Sequence, residues 1–230
     1  MKDLDTNLVF SLLRDIPFLF DESPPKEIFK IIEESEIQFC LKLLKSFYLE
    51  KRLKGINELK EFIDRVDPLN DYKYRDTNKK LRYFNKEILL QFIIENQIIE
   101  FIMGENFHIE VFKRSLNLMS FLSLSGKLTK EHLTALWNVS EEKHNTNKKE
   151  VHQIIIDLSK MFSLDALEFI FQRIITVNPE KYDENMVFFI KEITKNAITF
   201  ILSGFFIFYI FTKIVIFYIL HINLFLSTLT

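Results

Sequence analysis

The sequence predicts an all-α protein built from short helices, and three observations support this fold class. Glycine and proline supply only 4 and 5 of the 230 residues, whereas turn-rich β-sandwiches use many of both. Apolar residues recur three or four positions apart, which is the spacing of one face of an α-helix. We find no alternating apolar and polar stretch of the kind that predicts a strand.

Four apolar stripes predict the helices of the first part of the chain. The stripes are Leu4, Leu8, Leu12 and Ile16, then Ile28, Phe29, Ile31 and Ile32, then Ile37, Cys40, Leu41 and Leu44, then Leu49, Leu53, Ile56, Leu59, Phe62, Ile63 and Val66. Pro17 follows the first stripe, and Ser23 with Pro24 begins the helix of the second, whose four apolar residues we expect to face the core. Asp67-Pro68 ends the last helix, and the polar residues 67–80 predict the longest loop.

Glycines and capping residues divide the rest of residues 1–195 into further helices. We expect these helices over residues 84–95, 97–103, 107–125, 130–142, 151–162 and 164–176, with Pro179 and Asp183 opening a last one. Gly104 and Gly126 are expected stop positions, and Thr129 and Ser163 are expected N-caps. Residues 141–150 are polar and predict a connecting segment.

Short helices joined by short loops are typical of an armadillo/HEAT-like α-solenoid. No strict repeat period is visible in residues 1–195, so an irregular helical bundle stays open as the alternative. With the solenoid as the preferred arrangement, we predict one helical, solenoid-like domain over residues 1–195.

The composition changes sharply near residue 196. Every Asp and Glu lies before this position, and Lys213 is the single Lys or Arg in residues 197–229. This run exceeds the ~20 apolar residues that span a bilayer, so residues 196–230 predict a long hydrophobic C-terminal helix. Lys191 and Lys195 precede it and would hold the helical domain on the cytoplasmic side of a membrane. The other interpretation is a gene-model artefact, since AT-rich noncoding DNA encodes Phe, Ile, Tyr, Leu, Asn and Lys.

Composition also excludes some classes of protein. The formal net charge of −2 gives no general case for nucleic-acid binding. One cysteine excludes an internal disulfide and indicates a reducing, cytoplasmic compartment. The first ten residues contain acidic groups where a secretory signal has a basic region, so we predict no signal peptide.

No catalytic, cofactor-binding or metal-binding residue is predicted. Cys40 lies in the apolar string IQFCLKLL, where nothing would expose its thiol or lower its pKa, so we predict a buried core residue. The spacings of His108, His132, His144 and His152 fit no compact metal motif. No glycine-rich phosphate loop or nucleotide fingerprint is present.

Three other features are interpreted as structural. Basic residues alternate with tyrosines around residues 72–86, but Asp71, Asp76 and Glu87 dilute them, so we predict a solvated loop and no nucleic-acid partner. The glycosylation triplet that begins at Asn138 lies on a predicted helix. Trp137 is predicted to anchor the core between helices.

Three local motifs occur in order along the chain. They are Leu49, Glu50, Lys51, Arg52, Gly55 and Leu59, then Gly104, Glu105, Asn106, Phe107, His108, Glu110, Arg114 and Ser115, then Leu133, Leu136, Trp137, Lys143 and His144. With the longer stretches 39–66 and 94–115, they resemble the non-catalytic helical-repeat region of large ubiquitin carboxyl-terminal hydrolases, the fat-facets-like ubiquitin-specific proteases. Residues 165–174 and 190–197 fit the same family more loosely, and the resemblance covers residues 30 to about 198.

The resemblance implies a scaffold that binds protein partners or ubiquitinated substrates, with Gly55 where a neighbouring helix comes close. The implied activity of the full-length family members is thiol-dependent hydrolysis after the ubiquitin C-terminus. That chemistry needs a nucleophilic Cys and a His base, and the family's Cys and His boxes are missing from these residues. The alternative is a tail-anchored helical adaptor without enzymatic activity, and a free-standing armadillo-like scaffold is a weaker third.

Overall fold

The computed structural model describes residues 6–16, 25–66, 84–104, 107–142 and 145–203, and these residues are all-α with no strand. The chain divides into two compact units, Met1–Leu118 and Met119–Thr230. The helices are α1 (Thr6–Asp15), α2 (Lys26–Leu44), α3 (Leu49–Val66), α4 (Lys86–Glu95), α5 (Ile98–Met103), α6 (Ile109–Arg114), α7 (Leu116–Leu124), α8 (Lys130–Glu142), α9 (Asn145–Ser159), α10 (Leu164–Thr176) and α11 (Glu184–Ser203).

The antiparallel pair α2 and α3 forms the centre of the first unit. Ile37, Cys40 and Leu44 of α2 are buried, and so are Ile56 and Leu59 of α3. These residues recur at three- and four-residue intervals, so each helix turns one stripe toward the other. The apolar stripes of the sequence therefore predicted the contact faces of both helices.

The start of α2 differs from the prediction. Phe29 is buried, but Ile28 is 38% exposed and Ile31 is 64% exposed, so the expectation that both face the core was wrong. The buried face of α2 instead continues from Phe29 through Glu33 and Glu36. Consecutive residues of a helix point about 100° apart, so Ile28 and Ile31 lie off this face. Two charged residues took buried positions that apolarity alone could not predict.

The predicted helix over residues 107–125 is divided at Ser115 into α6 and α7. The fully buried Ser115 hydroxyl donates a hydrogen bond of 2.6 Å to the carbonyl oxygen of Phe112. A serine that bonds a nearby carbonyl competes with the backbone hydrogen bonds of a helix. The predicted end at Gly126 is confirmed, because Gly126 has a φ of +64°, a conformation that favours glycine.

Capping residues begin several helices, as predicted. Thr129 Oγ1 accepts a hydrogen bond of 3.3 Å from the His132 amide at the start of α8. Ser163 Oγ accepts one of the same length from the Ala166 amide at the start of α10. The predicted connection over 141–150 was wrong, because α8 continues to Glu142 and α9 already begins at Asn145.

The second unit contains most of α7 and all of α8, α9, α10 and α11, and within it α9 packs against α8 and α11. Asn196 of α11 donates hydrogen bonds from Nδ2 to the Ile156 carbonyl oxygen (3.0 Å) and to Ser159 Oγ (2.8 Å) at the end of α9. Helix α11 continues past residue 196, and its Ala197 and Ile201 are buried. The remainder of the predicted hydrophobic helix, residues 204–230, lies outside the described residues.

Candidate functional site

Cys40 is enclosed between α2 and α3. Its Sγ donates a hydrogen bond to the Gly55 carbonyl oxygen at 3.1 Å, and the side chain is buried. Burial raises the pKa of the Cys40 thiol well above its usual range, and the carboxylates of Glu58 and Glu36 raise it further. A nucleophilic cysteine needs an accessible thiolate. Cys40 therefore has a packing role, as the sequence predicted.

Gly55 lies where α2 comes closest to α3. A Cβ atom placed on Gly55 would lie 2.6 Å from the backbone nitrogen of Leu44 and 3.0 Å from Cβ of Leu43. Real Cβ atoms do not come that close to backbone atoms, so only glycine allows this approach of the two helices. This confirms the role that the resemblance implied for Gly55.

The histidines that we considered as metal ligands have separate roles. Nδ1 of His108 accepts a hydrogen bond of 3.2 Å from the Glu110 amide at the start of α6. Nδ1 of His132 accepts one of 3.2 Å from the Thr129 amide at the start of α8. The side chain of His144 is outside the described part of the chain. Among the described residues, no group of three His, Cys, Asp or Glu side chains is placed to hold a metal ion.

His152 belongs to an aromatic cluster with Phe189 and Trp137. Its ring stacks on Phe189 at a centroid distance of 4.3 Å, and Trp137 lies 6.2 Å from the same Phe189 ring. His152 is 4% exposed, and its Nδ1 has no hydrogen-bond partner within the described part of the chain. Burial is the main reason that the pKa of His152 is lowered to about 4; the charge of Lys148 acts in the same direction, and that of Asp183 opposes the shift. The cluster joins α8, α9 and α11, and it confirms Trp137 as a core anchor.

Glu33 and Glu36 connect α2 to the elements that follow it. Glu36 accepts two hydrogen bonds from the Arg65 guanidinium, at 3.1 and 3.4 Å, and this guanidinium also lies 4.0 Å from the Phe62 ring centroid. Glu33 accepts a hydrogen bond of 2.7 Å from the Phe84 amide, just before α4. Sequence reasoning missed both glutamates. Their four-residue spacing from Phe29, Ile37 and Cys40, which places them on the apolar stripe, was the sequence signal that could have found them.

An exposed corner joins α2 to α3, and sequence reasoning missed it. Phe47 is 100% exposed and Tyr48 is 69% exposed. Ser46 Oγ accepts a hydrogen bond of 3.2 Å from the Tyr48 amide, and Lys51 Nζ lies 5.2 Å from the Tyr48 ring centroid. These contacts hold Tyr48 outside the core, next to the exposed Phe47. The string SFY between two apolar stripes was the available signal.

The other sequence features add no reactive site. Residues 67–83, which hold most of the predicted basic loop, lie outside the described residues. Asn138 lies on helix α8, as predicted, and its side chain is exposed. In the ranges that the structure describes, no helix is long and apolar enough to cross a membrane.

Comparison with known proteins gives this helical region a family. The family model described as the UBP24/USP9X/USP9Y ARM repeat matches residues 30–199, which include nearly all the described helices from α2 to α11. The chain belongs to this ARM-repeat family. This match confirms the resemblance to a non-catalytic helical region that the motifs at Leu49–Leu59 and Leu133–Trp137 indicated.

The related proteins are named as ubiquitin carboxyl-terminal hydrolases. Human ubiquitin carboxyl-terminal hydrolase 34 is 25% identical over 174 residues, which cover 72% of this chain and 5% of the relative. Ubiquitin carboxyl-terminal hydrolase puf of Drosophila melanogaster is 21% identical over 193 residues, which cover 84% and 5%. Mouse ubiquitin carboxyl-terminal hydrolase 9Y is 21% identical over 147 residues, which cover 64% and 6%. The chain thus spans only about a twentieth of the length of these relatives.

Proposed function

We propose that this chain is a non-catalytic scaffold segment of a large cysteine-type ubiquitin carboxyl-terminal hydrolase, and that it binds protein partners or ubiquitinated substrates. The match of the ARM-repeat family over residues 30–199 carries the proposal. ARM-type helices stack into extended surfaces that bind other proteins. The helices are proposed to continue as a solenoid, in the reducing environment of the cytoplasm.

Two local observations support a binding role over a chemical one. The only cysteine, Cys40, has a buried thiol whose pKa is raised. The candidate histidines of the described residues either cap helices or, in His152, pack against Phe189. Hydrolysis after the ubiquitin C-terminus would be the task of a catalytic domain with its own Cys and His boxes.

The expected lack of ubiquitin hydrolase activity is tested with ubiquitin that carries an electrophilic C-terminus. The purified chain is incubated with this reagent and, separately, with a fluorogenic ubiquitin C-terminal amide. We expect no covalent adduct and a hydrolysis rate equal to that of buffer, for the wild type and for Cys40→Ser alike. An adduct at Cys40, or hydrolysis that Cys40→Ser abolishes, would contradict the proposal.

The scaffold role is tested by comparing proteins retained from cells by the folded chain with those retained by a destabilised control. Gly55→Leu is the control, because its side chain would collide with the backbone of Leu44. We expect a reproducible set of proteins, some of them ubiquitin conjugates, on the wild type alone. Identical sets on the two baits would argue against a scaffold.

A further inference from the structure

The α2–α3 corner has the properties of a protein-docking site. It consists of Phe47 and Tyr48, with Lys42, Lys45 and Lys51 close to them in the sequence, and it forms a single turn between two packed helices. Phe47 is fully exposed and Tyr48 is 69% exposed. Keeping a complete Phe side chain in water forgoes the free energy that its burial would supply, so the corner exposes unused apolar surface.

The backbone of the corner is fixed by its neighbours. The Lys45 amide donates to the Leu41 carbonyl oxygen (3.0 Å), and the Ser46 amide donates to that of Leu43 (3.1 Å). Immediately behind it, Gly55 packs against Leu44 with no room for a Cβ atom. A partner would therefore meet an aromatic anchor whose backbone is already ordered, which reduces the entropy lost on binding.

The exposed charges near the corner are mostly positive, which favours a partner that carries negative charges. Lys42, Lys45 and Lys51 are exposed, while Glu50 is the one acidic residue between positions 42 and 54. Lys51 covers the Tyr48 ring and contributes a cation to the same surface. Buried aromatic anchors with a charged rim are the usual source of binding energy and specificity in interfaces.

We propose that this corner binds an acidic peptide segment of a partner protein, with apolar residues between its carboxylates enclosing Phe47. Tyr48 extends the apolar contact, and the three lysines pair with the carboxylates at the rim. The inference rests on the proposed scaffold function and assigns a docking surface to it.

The test uses a short fluorescein-labelled peptide in which Glu and Asp alternate with Leu and Phe, measured by fluorescence anisotropy with the full chain. A matched peptide carries Gln and Asn in place of the acids. We expect the acidic peptide to bind more tightly, and its affinity to fall with added salt. Phe47→Ser is expected to weaken binding by about tenfold or more, as removal of an interface anchor does.

Two variants separate the contributions of the anchor and the rim. Lys45→Glu with Lys51→Glu is expected to remove the preference for the acidic peptide. Ile31→Ser is the control, because Ile31 is a similarly exposed apolar residue on α2, away from the corner; it should bind like the wild type. Melting curves check that every variant is folded. We expect all of them to fold because the changed residues are exposed.

The proposal is overturned if neither peptide binds, if both bind alike, or if Phe47→Ser leaves the affinity unchanged. Sedimentation with phosphatidylserine vesicles that depends on Phe47, without peptide binding, would assign the corner to an anionic membrane instead and also overturn it. If Phe47→Ser still retains the wild-type set of proteins from cells, the docking assignment fails while the scaffold function stands.

Discussion

The thiol of Cys40 on α2 donates a hydrogen bond to the carbonyl oxygen of Gly55 on α3, over an Sγ–O distance of 3.1 Å. This contact exists because Gly55 has no Cβ atom, so that the two backbones approach where α2 ends at Leu44. The same approach buries the thiol and excludes it from thiolate chemistry. One pair of residues thus explains both the close packing of α2 against α3 and the burial of the Cys40 thiol.

Replacing Gly55 with Ala should destabilise the first unit. The added methyl group would lie 2.6 Å from the Leu44 nitrogen, and overpacking of this kind typically costs about 1–3 kcal/mol. Urea denaturation should show the loss as a lower midpoint. Gly126→Ala is the matched control, since no atom lies within 4 Å of its added Cβ and its cost comes only from the positive φ. Equal stability of Gly55→Ala and the wild type would refute the close-packing account.

Cys40 should be inert to a thiol reagent such as DTNB in the native protein at pH 8 and should react fully in urea. Burial both shields the thiol and raises its pKa, so little thiolate is available. As a control, the double variant Cys40→Ser with Gln38→Cys moves the thiol to an exposed position on the same helix. This thiol should react at once under native conditions. Rapid native labelling of Cys40 would show that the α2–α3 contact opens readily.

Stability should increase with pH between about 4 and 6.5 because of His152. Its pKa is about 4 in the folded state against 6.5 for the ordinary group, so the unfolded chain binds the additional proton in this window. Above pH 6.5 the imidazole is neutral in both states, and as the pH falls to about 4 protonation of the unfolded chain lowers the stability by about 3 kcal/mol at most, at 1.36 kcal/mol per unit. His152→Phe, which keeps an aromatic ring against Phe189, should flatten this part of the pH profile. His108→Gln, at a partly exposed helix start, is the control and should leave the slope in place.

Arg65→Leu should destabilise the protein by about 2–3 kcal/mol, the usual scale for hydrogen bonds to a charged group. The change removes both hydrogen bonds to Glu36, whose side chain is only 10% exposed. Lys30→Ala is the comparison, because Lys30 and Glu34 form an exposed pair at 3.8 Å. Exposed pairs contribute about 0–1 kcal/mol. Thermal unfolding that ranks the two variants equally would contradict a structural role for the Glu36–Arg65 pair.

Apolar spacing predicted much of the helical structure because it reports which face of a helix is buried. The stripe of Ile37, Cys40 and Leu44 predicted a buried face correctly, and Ser163 and Thr129 predicted helix starts through their own hydroxyl groups. The motif around Gly55 indicated both the family and the close approach of two helices. All of these signals are local, since each depends on residues within a few turns of one helix.

What remained hidden depended on contacts between segments far apart in the sequence. Glu33 is buried and accepts a hydrogen bond from the Phe84 amide, 51 residues later, and no local pattern contains that contact. Phe47 is exposed although it resembles a core residue. The sequence by itself determined the all-α class, the principal helix faces and the family. Tertiary structure alone decided which polar groups are buried and which aromatic groups are exposed, because burial depends on what packs against a residue and not on the residue itself.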